Sequence, residues 1–205
     1  MAYYFDNDES VKSDEKTIMV KINNNLYTFK TDNNVFSKNG LDFGTRTLLN
    51  SLDIKILQGD ILDVGCGYGP IGIYIKSVSS SCVDMIDVNQ RALKLAQKNA
   101  LLNNVCVNIF TSDVYSNVSK KYDFIITNPP VRVGKKILYN ILFKAQDYLK
   151  KTGFLYLVIN KNQGAKSLYK ELQKVYKVEL LNKNKGFYVF RCQIRWLIEY
   201  FLLKL

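Results

Sequence analysis

At 205 residues the chain has room for one domain with a sizeable core and a small extension. Its net charge of +11 points to an anionic partner, nucleic acid first, although the wealth of Lys, Asn, Ile and Tyr also resembles AT-rich coding. The absence of histidine excludes mechanisms built on an imidazole base, no apolar run reaches membrane-spanning length, and the four scattered cysteines lack metal-ligand spacing.

In chain order, the polar, acidic start (Asp6, Asp8, Glu9) does not read as a signal peptide, so a cytoplasmic location is expected. Thr17–Ile22 and Leu26–Lys30 alternate apolar with polar residues around Asn23-Asn24-Asn25 and predict a β-hairpin. Gly44–Leu52 predicts a short helix, which makes 1–52 a hairpin-and-helix extension. From Asp60 onward strands and helices alternate, the signature of a doubly wound α/β sheet. Strands are expected near 60–64, 82–87, 105–110, 122–127 and 153–160, and helices near 69–79, 89–103, 135–150 and 163–176. Asn89 suits an N-cap, and Ala92, Leu93, Ala96 and Ala100 share one helical face behind it. An antiparallel pair, Lys177–Leu181 and Gly186–Cys192, would close a seven-stranded, mostly parallel Rossmann-like sheet with helices on both faces, a domain over 53–192. Cys82, Cys106 and Cys192 sit among apolar strand residues and read as reduced core thiols. In the tail, 193–205, Ile194, Leu197, Ile198, Phe201, Leu202 and Leu205 share one helical face. Packing on the domain, or an altered reading frame past a normal stop, is the expected account there, with a dimer contact or a membrane-surface contact as alternatives. Monomer and homodimer both stay open.

Two motifs carry chemistry. An apolar run ends at Asp63 and passes into Gly65-Cys66-Gly67-Tyr68-Gly69-Pro70 ahead of a helix. Strand, tight turn and helix N-terminus form a nucleotide-binding corner, because backbone N–H groups converge where no Cβ blocks a ligand. Gly67-x-Gly69-x-x-Gly72 matches the dinucleotide fingerprint literally, but a carboxylate at the strand tip would repel a diphosphate. A ligand with a cationic end and no phosphates fits better, and S-adenosyl-L-methionine is one. Further on, Tyr122–Thr127 predicts a strand that runs into Asn128-Pro129-Pro130. Two prolines there stop the sheet and leave the Pro129 carbonyl and the Asn128 side chain free to hold a planar amine.

With these motifs the chain resembles the class I S-adenosylmethionine-dependent methyltransferases with the methyltransferase small domain. Within them it is similar to the RsmC-type small-subunit ribosomal RNA guanine-N2 methyltransferases in a short single-domain form. The matching segments are Val35-Phe36-Ser37, Leu41–Arg46, Asp63–Ile73, Met85–Asn89, Ser112-Asp113, Asn128–Arg132, Gly134-Lys135-Lys136 and Lys161–Ala165. The resemblance implies S-adenosyl-L-methionine as cofactor and ribosomal RNA or the small ribosomal subunit as partner, with no metal and no membrane. Asp63 is expected to orient the loop and face the ammonium group, with Gly65, Gly67 and Gly69 admitting the methionine portion between Cys66 and Tyr68. Asp87, with Val88 beside it, would take the ribose hydroxyls in preference to Asp84, and Asp113 the adenine amine. Thr45 and Arg46 are expected at the pocket.

Asn128 and Pro129 would hold the acceptor amine, with Pro130 fixing their geometry. Related amino-methyltransferases often carry an aromatic residue next; here it is Val131, so Phe36 or Phe43 is expected to cover the base. Arg132, Lys135 and Lys136 suit phosphate contacts beside a flipped base, and Lys161, Lys183 and Lys185 lie on possible substrate-facing edges. The expected reaction is direct methyl transfer to a guanine N2 amine. An adenine N6 or glutamine amide acceptor, or a non-catalytic RNA-binding module, are the rival readings.

Overall fold

The computed structural model describes residues 12–130 and 134–195. Alternation over Lys16–Ile22 (β1) and Asn25–Thr31 (β2) gives the expected antiparallel hairpin. It turns at Asn23, whose φ of 50° is one that asparagine tolerates. Val20, Ile22, Tyr27 and Phe29 form its buried face.

The outer edge of β2 is closed by side chains of a helix, α3 (Gln90–Leu102), and its C-cap. Asn99 Oδ1 accepts the Lys30 amide at 2.6 Å while its Nδ2 donates to the Lys30 carbonyl at 2.9 Å. Asn103 repeats the pattern on Thr28 at 3.1 and 2.8 Å. Two carboxamides one helical turn apart thus stand in for a third strand. Asn99 Nδ2 also donates to the Tyr68 carbonyl at 2.8 Å, tying hairpin, helix and glycine loop together. Asn99→Ala leaves the Lys30 amide and carbonyl and the Tyr68 carbonyl short of a partner and is expected to lower stability by about 2–4 kcal/mol. Urea unfolding midpoints check this; a loss below about 1 kcal/mol would mean that the hairpin edge does not depend on the amide.

The main sheet comprises β3 (Asp60–Val64), β4 (Cys82–Asp87), β5 (Asn108–Thr111), β6 (Tyr122–Thr127), β7 (Leu149–Asn160), β8 (Tyr176–Asn184) and β9 (Phe187–Ile194). The order is β5-β4-β3-β6-β7-β9-β8, parallel from β3 to β7 with β9 antiparallel to both its neighbours. The period of two sorts each strand between two cores. Ile61, Met85, Phe124, Ile126 and Tyr156 pack toward α2 (Pro70–Val78), α3 and the hairpin. Leu62, Val64, Ile86, Ile125 and Leu157 pack toward α4 (Lys135–Tyr148) and α5 (Ala165–Leu172). Helix α1 (Phe43–Leu49) precedes the sheet, capped by Asp42, which accepts the Thr45 amide at 3.0 Å.

Some boundaries differ from expectation. The strand expected near 105–110 begins only at Asn108, because the Val105 amide closes the end of α3 on the Ala100 carbonyl at 3.0 Å. Cys106 is therefore exposed, as is Cys82 at the start of β4; Cys192 is buried as expected. Gly164, at φ 85°, separates a 3-10 turn over Lys161–Gln163 from α5, shortening the helix expected over 163–176. Gln193 and Ile194 belong to β9, and the Arg195 amide bonds the Val175 carbonyl, so the tail begins as the end of an inner strand between β7 and β8. The rest of the tail, 196–205, lies outside the described residues. No helix among the described residues is long and apolar enough to cross a membrane.

Candidate active site

The chain steps outward from β3 to β4 and β5 and then returns to β6 on the other side of β3, and at this reversal the loops after β3, β4, β5 and β6 part around a cleft of about 910 Å³. The glycine loop forms its floor. Gly65 and Cys66 amides both donate to the Ile86 carbonyl at 2.9 Å, which pins the loop to the end of β4. Gly67, at φ 57°, donates to Asp87 Oδ2 at 2.8 Å, and a Cβ there would meet nothing within 4 Å. Glycine supplies a left-handed backbone and a bare approach at that point. Gly72 acts differently: a Cβ would stand 2.6 Å from Met85, so this glycine lets α2 lie close on β4.

Asp87 holds the Gly67 amide with one oxygen and the Asn89 amide with the other, at 2.8 and 2.9 Å. Burial raises its carboxyl above the ordinary range against the lowering pull of those amides. Asp84, the rival, is buried away from the cleft and accepts the Tyr122 hydroxyl at 2.7 Å.

Asn128 sits where β6 ends. Its Nδ2 donates to Asp42 Oδ2 at 3.0 Å and to Thr45 Oγ1 at 2.9 Å. Both amide hydrogens are thereby used, and the carboxamide oxygen is the group left for the cleft. Thr127 Oγ1 donates to the Val64 carbonyl at 2.8 Å, fixing the end of β6 against β3.

Of the expected site residues, Phe36, Thr45, Gly65, Cys66, Gly67, Tyr68, Asp87, Val88, Asp113, Asn128, Pro129 and Pro130 line the cleft together. Asp63 does not: it is fully buried beneath the loop, its Oδ2 accepting the Gly72 amide at 2.9 Å. It shares the strand parity of Ile61, so its carboxyl faces α2 rather than the ligand space. Its other oxygen has no hydrogen-bond partner, and burial pushes the group up to about 7. Gly69 is buried as the N-cap of α2. Arg46 also departs from the pocket. One helical position on from Thr45, it reaches the hairpin and donates to the Lys21 carbonyl at 2.6 Å. Lys135 and Lys136 are exposed on the first turn of α4, just beyond the cleft residue Gly134. Val131 and Arg132 lie outside the described residues. Phe43 packs on Phe187 at 5.7 Å, and it is Phe187 that lines the cleft. Asp42, Gln163 and Phe187 had no assigned role in the sequence reading; Asp42 alone had a local signal, as an N-cap.

The cleft carries three carboxylates, Asp42, Asp87 and Asp113, and no lysine or arginine among the described residues, on a protein of net charge +11. Its remaining wall includes Val64, Ile86, Val88, Val114, Ile137 and Ile141. Such a lining disfavours phosphates and fits a ligand with cationic groups and an apolar ring. Fold, loop and lining together place the chain among class I methyltransferases, whose methyl donor is S-adenosyl-L-methionine. The chain belongs to the methyltransferase small domain family, which it matches over residues 26–191.

It is 41% identical over 196 residues to the uncharacterized protein YbxB of Bacillus subtilis, covering 93% of this chain and 98% of that one. It is 35% identical over 150 residues to ribosomal RNA small subunit methyltransferase C of Aliivibrio fischeri, covering 71% of this chain and 44% of that one. The chain thus spans less than half the length of that relative. Among solved structures, the T. thermophilus 16S rRNA N2 G1207 methyltransferase (RsmC), in complex with AdoMet and guanosine, superposes with a TM-score of 0.79 at 24% identity. That match covers 88% of this chain and 51% of that one.

Asp87 braces the glycine loop and lines the cleft. Asp87→Ala is expected to weaken S-adenosyl-L-methionine binding by about tenfold or more, read by calorimetry. Unchanged affinity would remove Asp87 from the binding set.

Proposed function

We propose that this chain methylates the exocyclic N2 amine of a guanine in small-subunit ribosomal RNA. The observation that carries the reading is the tethering of Asn128 by Asp42 and Thr45, which leaves its carboxamide oxygen for an amine to meet. Small-subunit rRNA methyltransferases among the relatives, and guanosine in the T. thermophilus structure, support the choice of acceptor.

S-adenosyl-L-methionine supplies an electrophilic methyl group to this site. The chain's task is to present a poor nucleophile. An exocyclic amine has its lone pair delocalised into the base, and two acceptors, Asn128 Oδ1 and the Pro129 carbonyl, would take its two N–H bonds and turn the lone pair into the cleft. Positioning of this kind supplies effective molarities on the order of 10⁵ M or more. As the nitrogen gains a bond its pKa falls, so the proton leaves through Asn128 or water without a dedicated base. Phe36, at the mouth, and Phe187 are the aromatic residues placed to cover the base; Phe43 is taken up by Phe187.

Methyl-labelled S-adenosyl-L-methionine incubated with small ribosomal subunits from cells lacking the gene tests this. Label recovered in N2-methylguanosine is the expected result. Label in N6-methyladenosine or in protein keeps the transferase and overturns the acceptor.

A further inference from the structure

The turn joining β8 to β9 accepts an unfavourable residue at its tip. Asn184 pairs with Phe187, leaving Lys185 at φ 44° and Gly186 at φ 86° as a two-residue hairpin loop. Both positions of such a turn are left-handed, and asparagine or glycine is favoured where this chain has lysine. A residue held in a disfavoured conformation invites a functional reason.

The surroundings supply one. Lys185 Nζ stands 5.3 Å from the centroid of Phe43, whose ring packs on the cleft residue Phe187. Lys183 Nζ stands 5.3 Å over Tyr188 on the same hairpin. The Lys161 amide donates to the Gly186 carbonyl at 2.7 Å, and its side-chain stem runs 3.4 Å from where a Gly186 Cβ would lie. All three lysines are exposed, and none forms an ion pair among the described residues. At the opposite end of the sheet the pattern reverses: Lys120 and Lys150 are paired with Asp60, Asp84 and Asp123. Cations beside the cleft are thus free of internal carboxylates while the cleft itself is acidic. A ligand that is uncharged where it enters and anionic where it continues matches both, and a base on a phosphodiester chain is such a ligand.

We propose that the β8–β9 turn grips the RNA backbone beside the target base, with Lys185 as the central phosphate contact and Lys183 and Lys161 flanking it. The proposal rests on the RNA reading above and adds the surface that holds the strand. Lys185→Asn separates grip from fold, because asparagine suits the turn and lacks the charge.

The full-length wild type, Lys185→Asn, Lys183→Ala/Lys185→Asn and Lys55→Ala would be compared. Lys55 is an exposed lysine without an ion pair among the described residues, in the loop before β3 at the far end of the strands. A fluorescent single-stranded oligouridine bearing one guanine is titrated at several salt concentrations, and methyl transfer to small ribosomal subunits gives KM and kcat. Lys185→Asn is expected to match or exceed the wild-type melting temperature, bind RNA at least roughly threefold more weakly and lower the salt slope by about 0.7, the double variant by about twice that. Its KM rises with kcat unchanged, and Lys55→Ala behaves as wild type. Wild-type slope and KM in Lys185→Asn, or an equal loss in Lys55→Ala, overturn the grip and leave the methylation reading standing. If the wild type neither binds the oligonucleotide nor labels the subunit, the RNA reading fails and the grip with it.

Discussion

Asn128→Ala is expected to slow methyl transfer at least about a hundredfold while cofactor affinity stays near wild type, a loss of about 2.7 kcal/mol confined to the transition state. The asymmetry follows from geometry. The Asn128 amide hydrogens are tied to Asp42 and Thr45, which leaves its oxygen for the proposed acceptor amine, while the loops after β3, β4 and β5 line the part of the cleft proposed for the donor. Asp42→Ala should lower turnover through the same tether, with about 1 kcal/mol of stability lost from the cap of α1. Asp42→Asn should recover much of both, since asparagine is an equal cap and its oxygen accepts from Asn128. Asn128→Asp removes the donor and faces two carboxylate oxygens across the present 3.0 Å contact, so it should be as damaging as alanine. Steady-state kinetics with calorimetric cofactor binding decide. Near-normal turnover in Asn128→Ala would sink the role assigned to Asn-Pro-Pro.

How far the sequence showed this site depends on whether each signal is local. The parallel strands, the closing antiparallel pair and the helices between them were legible because their apolar periods are set by residues a few positions apart. Asp87 was legible too, as the acidic end of a strand beside an N-capping asparagine. The tether of Asn128 was not: its partner lies 86 positions upstream, and Asp42 read alone is only a helix cap. Phe187 reaches the cleft because the β8–β9 hairpin folds over α1, a long-range event that no window contains. Asn99 and Asn103 look like ordinary polar helix residues until β2 arrives against them. Arg46 and Asp63 fail for a different reason. Their positions near the site were right, but helix pitch and strand parity turn their side chains away from it. Parity was readable in advance, since Asp63 alternates with Leu62 and Val64 and sits in phase with Ile61.

That placement gives Asp63 a measurable signature. Its carboxyl is raised from 3.8 to about 7, chiefly by burial, with the Gly72 amide opposing and Asp87 adding repulsion. Near pH 4 and below, folded and unfolded chains both hold the proton, and this group does not oppose folding. Between roughly pH 4 and 7 the unfolded chain releases the proton and the folded chain keeps it, so stability falls as pH rises. Above the folded value both forms are ionised, and the loss is complete at about 4 kcal/mol, since each pKa unit is worth about 1.36 kcal/mol. Asp63→Asn keeps an acceptor for the Gly72 amide, puts an uncharged group in the unpartnered position and removes the titration. The variant should therefore gain on wild type as pH rises, by about 4 kcal/mol in relative stability between pH 4 and pH 8. Urea unfolding of both proteins across that range checks it. Parallel stability profiles would show that the folded chain carries Asp63 ionised at low pH, as a partner for charge. A widening gap would show that the conspicuous aspartate of the glycine loop is held protonated under α2 through the lower part of that range, a buried brace and not an ionised face of the cleft.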